Sequence, residues 1–242
     1  MTGKLFLIPT VIAEGQNSTI PVSVREAIKS TQSFIVENVR TARRYISSLK
    51  LGVVIEELEF EVLDKKTNDT QVSTMLDGLL KGKNIGILSE SGCPGVADPG
   101  AKAVEWAQKR GVEVVPMVGP SSILLGLMGS GFNGQKFCFH GYLPIDKKEL
   151  EKELRRLESE SRKLNQTQIF IETPYRNNQM LEMLIRVSNN ETRVCVAKDL
   201  TSPDQLIKTK KLSAWKKESI DLHKVPTVLL MYAGRRQTGR IH

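Results

Sequence analysis

Hydrophobic positions follow two alternating patterns along this chain. Short apolar runs, such as residues 5–8 and 84–88, are typical of buried strands. Between them lie longer segments, such as residues 69–80, in which apolar side chains recur every three or four positions. That spacing is typical of helices packed on one face. Strands that alternate with helices along a whole chain predict an α/β fold.

The same reading places the remaining elements. Further strands are predicted at residues 33–36, 112–115, 136–140, 167–172, 193–199, 206–210 and 227–232, with a strand pair within 53–63. Helices are predicted at residues 20–28, 40–49, 101–110, 123–128, 147–163 and 178–187, with a short one around Trp215. A turn near residues 118–121 predicts two domains, 1–118 and 119–242.

The charge of the chain is unevenly distributed. The 242 residues carry a formal net charge of +8, although 40% hydrophobic and 26% charged residues are ordinary for a globular protein. Residues 1–120 contain 14 basic and 14 acidic side chains, whereas residues 121–242 contain 21 and 13. A basic second half indicates an anionic partner, most simply nucleic acid, or else a merely basic soluble surface.

Cysteine and histidine patterns point to no metal and no disulfide framework. Cys93, Cys138 and Cys195 form no C-x-x-C pair, and the three histidines match no metal-ligand spacing. Pro9 interrupts an N-terminal apolar run that otherwise imitates a signal peptide, and no stretch approaches 18 apolar residues. We therefore predict a reduced, cytoplasmic protein that does not span a membrane.

Three loops rich in small residues follow predicted strands. Residues 89–100 read Ser-Glu-Ser-Gly-Cys-Pro-Gly-Val-Ala-Asp-Pro-Gly, and residues 9–17 and 119–122 hold the corresponding positions after other strands. Ligands in α/β proteins bind at such strand ends. Together the loops predict one cleft, although each alone is also compatible with a structural turn. The Gly-x-Gly-x-x-Gly of residues 129–134 follows a helix instead, so we interpret it as a helix stop and turn.

These loops, with Phe-His-Gly-Tyr-Leu-Pro at 139–144, Glu-Thr-Pro-Tyr-Arg at 172–176 and Asp-Leu-Thr at 199–201, resemble the tetrapyrrole methylase superfamily. Within it the ordered set is most similar to the ribosomal RNA small-subunit methyltransferase I family, over nearly the whole chain. The resemblance implies two α/β domains with S-adenosylmethionine in a cleft between them, and a homodimer. It also implies a cytidine ribose 2′-hydroxyl of ribosomal RNA as substrate, and no metal.

The chain departs from that family at several motif positions. Asn38 stands where the family has Asp in Glu-Asp-Thr-Arg, and Ser202 stands where it has Lys. Glu90 replaces an Asp, and residues 9–17 differ from the family's Pro-Ile-Gly-Asn. The cofactor motifs of this chain thus match the family pattern better than its substrate motifs do. A small-molecule methyltransferase, for instance of a tetrapyrrole, and a non-catalytic ribosome-associated module remain open as alternatives.

The resemblance also assigns candidate residues. The cofactor would be held, in part through backbone atoms, by Pro9, Gly92, Cys93, Val96, Asp98, Ser121, Ser122, Ile171, Ala197 and Thr227. A buried structural cysteine is the alternative for Cys93, and a helix cap is the alternative for Asp98.

A ribose hydroxyl is a poor nucleophile near neutral pH, so its methylation calls for a base. The catalytic candidates are Glu37, Arg40 and Glu90. Asp98, Glu172 and Asp199 are further possible bases, and a helix-start ion pair is the alternative for Glu37 with Arg40.

Basic side chains of the second half are candidate phosphate contacts. The set comprises Arg176, Lys208, Lys210, Lys211, Lys216, Lys217, Arg235, Arg236 and Arg240. A solvated basic face is the alternative.

Overall fold

The computed structural model describes residues 2–234. Its contacts divide the chain into two compact units, Met1–Ser121 and Ser122–His242. The division falls three residues after the predicted boundary at 118/119. In each unit helices pack against a five-stranded sheet, which confirms the predicted α/β class.

The first unit contains five strands that are all parallel. They lie in the order β3-β2-β4-β1-β5. The strands are β1 (Lys4–Ile8), β2 (Ser33–Val36), β3 (Glu59–Val62), β4 (Ile85–Leu88) and β5 (Glu113–Pro116), and the helices are α1 (Val22–Lys29), α2 (Val39–Ser48), α3 (Asp69–Leu80) and α4 (Gly100–Lys109).

Apolar side chains cover both faces of this sheet, as expected for parallel strands. Leu5 and Ile35 point into one core with helices α3 and α4, whereas Ile8 and Phe34 point into a second core with α1 and α2. The chain therefore leaves the neighbouring strands β1 and β4 towards opposite faces. That arrangement opens a crevice between their carboxyl ends, which is where open α/β sheets bind ligands.

The second unit contains a mixed sheet in the order β6-β7-β10-β8-β9, in which β10 runs antiparallel to both of its neighbours. A core rich in Leu and Met packs against one face of this sheet and includes the fully buried Trp215, while the helix Ser122–Ser130 packs on the other face. The strands are β6 (Phe137–Tyr142), β7 (Thr167–Ile171), β8 (Arg193–Lys198), β9 (Leu206–Lys211) and β10 (Thr227–Tyr232), and the helices are α5 (Ser122–Ser130), α6 (Lys147–Leu164), α7 (Asn177–Val187) and α8 (Leu212–Trp215).

The predicted strand pair within residues 53–63 is wrong. Only Glu59–Val62 forms a strand, and Ile55–Glu57 forms a 3-10 turn. Val53 and Ile55, whose β-branched side chains favoured a strand, pack against the core of the first unit without joining the sheet. Here packing of individual side chains overrides β propensity.

Candidate functional site

Three loops of the first unit converge at the crevice between β1 and β4. The loop after β1 pairs with the loop after β4 through a single bridge, in which the Thr10 amide donates to the Gly92 carbonyl at 2.9 Å. The loop after β5 approaches the same place: an atom added at Gly119 as Cβ would lie 2.3 Å from the Pro9 ring. Only glycine permits that approach. The sequence prediction that these loops form one site is consistent with this geometry.

Cys93 joins the loop after β4 to the loop after β5. Its Sγ lies 3.4 Å from the Pro120 carbonyl oxygen. Burial raises the pKa of the Cys93 thiol, which keeps it protonated and able to donate to that carbonyl. This contact gives the cysteine a structural part within the loops, whatever it contacts in a ligand.

The loops of the first unit fit S-adenosylmethionine, whose adenosine and amino acid groups need many polar contacts. Pro9, Gly92 and Cys93 lie together, and Gly92 and Gly95 have positive φ angles that allow the loop to turn tightly. The Thr10 hydroxyl is buried and has no hydrogen-bond partner among the described residues. A buried hydroxyl without a partner is costly unless a ligand completes it.

Asp98 stabilises the loop that carries Cys93. One carboxylate oxygen accepts hydrogen bonds from the Gly95 and Gly100 amides, at 2.7 and 2.8 Å. Gly100 is the first residue of α4, so Asp98 partly fulfils its predicted alternative role as a helix cap. The other oxygen is buried without a hydrogen-bond partner in the described part of the chain, and burial raises the pKa of Asp98.

The predicted cofactor positions of the second unit lie at one end of its sheet. Val228 of β10 pairs with Ile171 on one side and Ala197 on the other, and Thr227 precedes it. Helix α5, which begins at Ser122, packs over this end, because a Cβ at Gly126 would lie 3.5 Å from that of Ala197. Their role as cofactor contacts stays a prediction.

A cavity of the first unit lies at the crevice between β1 and β4, bounded by the loop after β1, the end of β4 and the start of α2. Its volume is about 230 Å³. Polar groups line one side, among them Thr10, Glu37, Thr41 and Glu90, and the buried ring of Tyr45 lines another. The Tyr45 hydroxyl donates to the Pro9 carbonyl oxygen at 3.0 Å, which ties helix α2 to the loop after β1.

Glu37 is the half-buried carboxylate of this cavity. Burial raises its pKa, and the neighbouring carboxylates of Asp98 and Glu90 raise the pKa further. The hydrogen bond from the Glu90 backbone acts in the opposite direction. A carboxylate with a raised pKa is a better proton acceptor than an exposed one, which is the property expected of a general base.

Asn38, where the family has Asp, caps helix α2. Its side-chain oxygen accepts hydrogen bonds from the Arg40 and Thr41 amides. Asn and Asp are equally good at this task, so the substitution preserves local structure. Arg40 is exposed, lies outside the residues that line the cavity, and makes no ion pair with Glu37 within residues 2–234. Arg44, one helical turn later, lines the cavity instead.

Four of the candidate phosphate contacts in the second unit already have an acidic partner. Arg176 pairs with Glu172 at 3.0 Å, and Lys211 pairs with Glu191 at 2.6 Å. Lys208 and Lys210 both contact Glu218. Most of these pairs are partly exposed, where an ion pair contributes little and exchanges readily for another anion. Arg235, Arg236 and Arg240 lie outside the described residues.

The remaining base candidates of the second unit are engaged locally. Glu172 is buried in its pair with Arg176. Asp199 has a positive φ angle and lies 3.9 Å from the Lys198 ammonium. Neither is in the cavity that contains Glu37, which belongs to the first unit.

Sequence reasoning missed Thr10, Thr41, Arg44 and Tyr45. Thr10 follows Pro9 in a loop already predicted to bind a ligand, so its position was a usable signal. No signal in the sequence indicated Thr41, Arg44 and Tyr45, because they line the cavity only through the packing of α2 beside the loop after β1.

Within residues 2–234, no helix is both long enough and apolar enough to cross a membrane. The same residues include no cluster of three or more His, Cys, Asp or Glu side chains placed to hold a metal ion.

Comparison with known proteins assigns a family. The profile of the family Tetrapyrrole (Corrin/Porphyrin) Methylases matches residues 15–215, most of the chain. The chain belongs to the tetrapyrrole methylase family. It is therefore an S-adenosylmethionine-dependent methyltransferase, and the predicted family and enzyme class are confirmed.

The relatives of this tetrapyrrole methylase include bacterial proteins named as ribosomal RNA methyltransferases. It is 28% identical over 238 residues to ribosomal RNA small subunit methyltransferase I of Vibrio cholerae serotype O1, covering 97% of this chain and 78% of the relative. The protein of the same name from Escherichia coli O157:H7 is 27% identical, with coverage of 97% and 79%.

Solved structures of the family share the fold. The methyltransferase CobJ matches with a TM-score of 0.64 at 18% identity, over 100% of this chain and 98% of that one. Uroporphyrin-III C-methyltransferase from Thermus thermophilus, complexed with S-adenosyl homocysteine, matches with a TM-score of 0.54 at 16% identity, over 95% and 97%.

Proposed function

We propose that this methyltransferase modifies RNA of the small ribosomal subunit at a ribose 2′-hydroxyl, that of a cytidine by family resemblance. The observation that carries the proposal is the Glu37 carboxylate, half-buried and with a raised pKa, in a cavity at the ligand crevice. The names of the relatives from Vibrio cholerae and Escherichia coli support the class of substrate.

The size of the cavity supports a sugar as methyl acceptor. About 230 Å³ is below the roughly 300 to 1,000 Å³ that sites for drug-sized molecules occupy. One sugar unit suits that volume better than a tetrapyrrole macrocycle does. Carboxylates lining the cavity also suit a hydroxyl that must lose a proton.

When bound, S-adenosylmethionine supplies an electrophilic methyl group on a sulfonium sulfur. The task of the protein is to orient the hydroxyl and to remove its proton. Glu37 accepts that proton at a carboxylate oxygen. Thr41 donates to Glu90 at 3.2 Å, which holds the second carboxylate at the mouth of the cavity.

We assign the cofactor to Pro9, Gly92, Cys93, Val96, Asp98 and Ser121 in the first unit. Ser122, Ile171, Ala197 and Thr227 are the corresponding positions of the second unit. The convergence of Pro9, Gly92 and Cys93 supports the first group, and the pairing of Ile171 and Ala197 with Val228 supports the second. A homodimer and a cytoplasmic location complete the proposal and rest on the family resemblance and the unpaired cysteines.

Transfer of a radiolabelled methyl group tests this function. The purified chain is incubated with labelled S-adenosylmethionine and either small ribosomal subunits that lack the modification or tetrapyrrole precursors. We expect label in ribosomal RNA and none in the tetrapyrrole. Label in the tetrapyrrole alone would contradict the proposed substrate while leaving the enzyme class intact.

A further inference from the structure

A large cavity of the second unit lies at the far end of its sheet from Ala197 and Thr227. There Tyr232 of β10 pairs with Arg193 of β8, and Arg193 pairs with Lys211 of β9. Ala197 and Thr227 are at the opposite ends of the same strands. The cavity has a volume of about 870 Å³ and is lined chiefly by these residues, Lys210 and the turn after α5.

Two aromatic rings form one wall of this cavity. Phe132 and Tyr232 stack with ring centroids 5.4 Å apart and planes 24° apart. The Arg193 guanidinium carbon lies 4.9 Å from the Tyr232 ring centroid and 5.5 Å from that of Phe132. Tyr232 is buried, whereas Phe132 is half-buried and reaches solvent. A planar group entering the cavity would therefore meet the Phe132 ring.

Hydrogen bonds hold this aromatic wall in place. The Ser130 hydroxyl accepts from the Phe132 amide at 3.1 Å and donates to the Leu127 carbonyl at 2.8 Å. Asn165 accepts from the Tyr232 hydroxyl, and the Asn133 side chain donates to the Asn165 carbonyl at 2.6 Å. Preorganisation of this kind lowers the entropic cost of binding a ligand.

The rest of the lining carries a small excess of positive charge. Arg193 and Lys211 are register partners on the same face of the sheet, and Glu191 is the acid beside them. The Lys210 ammonium lies on the other face, where it binds Glu218 beside Trp215. The pair of Lys211 with Glu191 is more than half exposed on both sides, so a phosphate can replace the glutamate at little cost. The chain continues from Gly234, which also lines the cavity, into a tail that contains three arginines.

We propose that this cavity binds an unpaired nucleotide of the RNA substrate at a distance from the methylated residue. The base stacks on Phe132, and a flanking phosphate contacts Lys211. Aromatic rings beside cations are the usual means of holding single-stranded RNA. The inference rests on the proposed function, and it gives a role to the turn at residues 129–134, which the cofactor does not use.

RNA affinity of the full chain tests the site. The probes are unmethylated small ribosomal subunits and a labelled single-stranded oligouridylate. We expect Phe132→Leu to weaken binding of both by about tenfold, since it keeps apolar volume and removes the stacking face. Phe132→Tyr should restore the affinity. Calorimetric S-adenosylmethionine affinity and the unfolding midpoint of both variants should equal those of the wild type.

A lysine variant tests the phosphate contact. Lys211→Gln should weaken RNA binding and reduce the slope of log affinity against log salt by about one. Lys148→Gln removes the same charge from an exposed position of α6 and is the control. Equal effects of the two variants would overturn the proposal, because binding would then follow net charge alone.

The remaining outcomes separate this inference from the proposed function. Unchanged RNA affinity in Phe132→Leu, with methyl transfer to RNA intact, would overturn the site and leave the function standing. A chain ending at Gly234 that binds RNA more tightly than the full chain would identify its own tail as the occupant, and would also overturn the site. A wild-type chain that neither binds nor methylates RNA would overturn both.

Discussion

The chemistry of the candidate site depends on a few side chains of the first unit whose environments differ. Glu37 is half-buried near Asp98 and Glu90, and its pKa is raised. Asn38, its neighbour, has a purely local task at the start of α2. The two positions belong to one sequence motif, yet they are expected to respond differently to mutation.

Glu37→Gln should reduce methyl transfer by about 10²- to 10⁴-fold, because the glutamine cannot accept the proton. Glu90→Gln, at an exposed position, should reduce it by less than about tenfold. Single-turnover rates across pH check both. The wild-type rate should rise with pH until Glu37 is ionised, and equal losses in the two variants would contradict the assignment.

The raised pKa of Glu37 also has a consequence for stability. The folded state binds the proton of the Glu37 carboxyl more tightly than the unfolded state does. The protonated carboxyl therefore contributes to the free energy of unfolding at low pH, and this contribution is lost as pH rises through the folded pKa. Relative to the wild type, Glu37→Gln should therefore gain free energy of unfolding as pH rises from below the usual pKa of a glutamate through the raised pKa of Glu37. Urea unfolding at several pH values measures the difference, and a loss over the same range would reverse the inferred environment.

Asn38→Asp should change the free energy of unfolding by less than about 0.5 kcal/mol, because both residues cap a helix. Asn38→Ala should lower it by about 1 kcal/mol, since the Arg40 and Thr41 amides lose their acceptor. Urea denaturation of the two variants measures the effect. A large loss of stability in the aspartate variant would contradict a purely capping role for the side chain at position 38.

At the scale of elements, the site follows from a parallel sheet whose neighbouring strands β1 and β4 continue towards opposite faces. The loops after β1, β4 and β5 must then meet at one edge, and Gly119 against Pro9 is where their contact is closest. The sequence predicted most elements of this unit and the edge at which the loops lie. It could not predict the strand order or the contact of α2 with Pro9, because both depend on residues distant along the chain.

Gly119→Ala should separate the loops after β1 and β5, because the added methyl group would overlap the Pro9 ring. We expect a loss of about 1 to 3 kcal/mol in the free energy of unfolding and weaker S-adenosylmethionine binding by calorimetry. Gly134→Ala is the control, since a Cβ there meets no atom within 4 Å. Unaltered cofactor affinity in Gly119→Ala would argue against a cofactor role for these loops.

At the scale of the whole molecule, the net charge of +8 comes from the sequence of the second unit, because basic and acidic side chains are equal in number in the first. The count of charges by halves predicted an anionic partner, but it could not predict that Lys208 and Lys210 share Glu218, or that Arg193 lies over two aromatic rings. The contacts of Arg193 join distant parts of the chain. They favour the proposal that RNA binds in a defined cavity rather than on a diffuse basic face.

The proposed reaction requires the cavity around Glu37 to hold a ribose hydroxyl for methylation. Small ribosomal subunits lacking the modification can be incubated with the wild-type chain or with Glu37→Gln, and their RNA digested to nucleosides for mass spectrometry. The account predicts 2′-O-methylcytidine with the wild type and at least about 100-fold less with Glu37→Gln. A methyl group on a base atom, or equal product from both proteins, would contradict it.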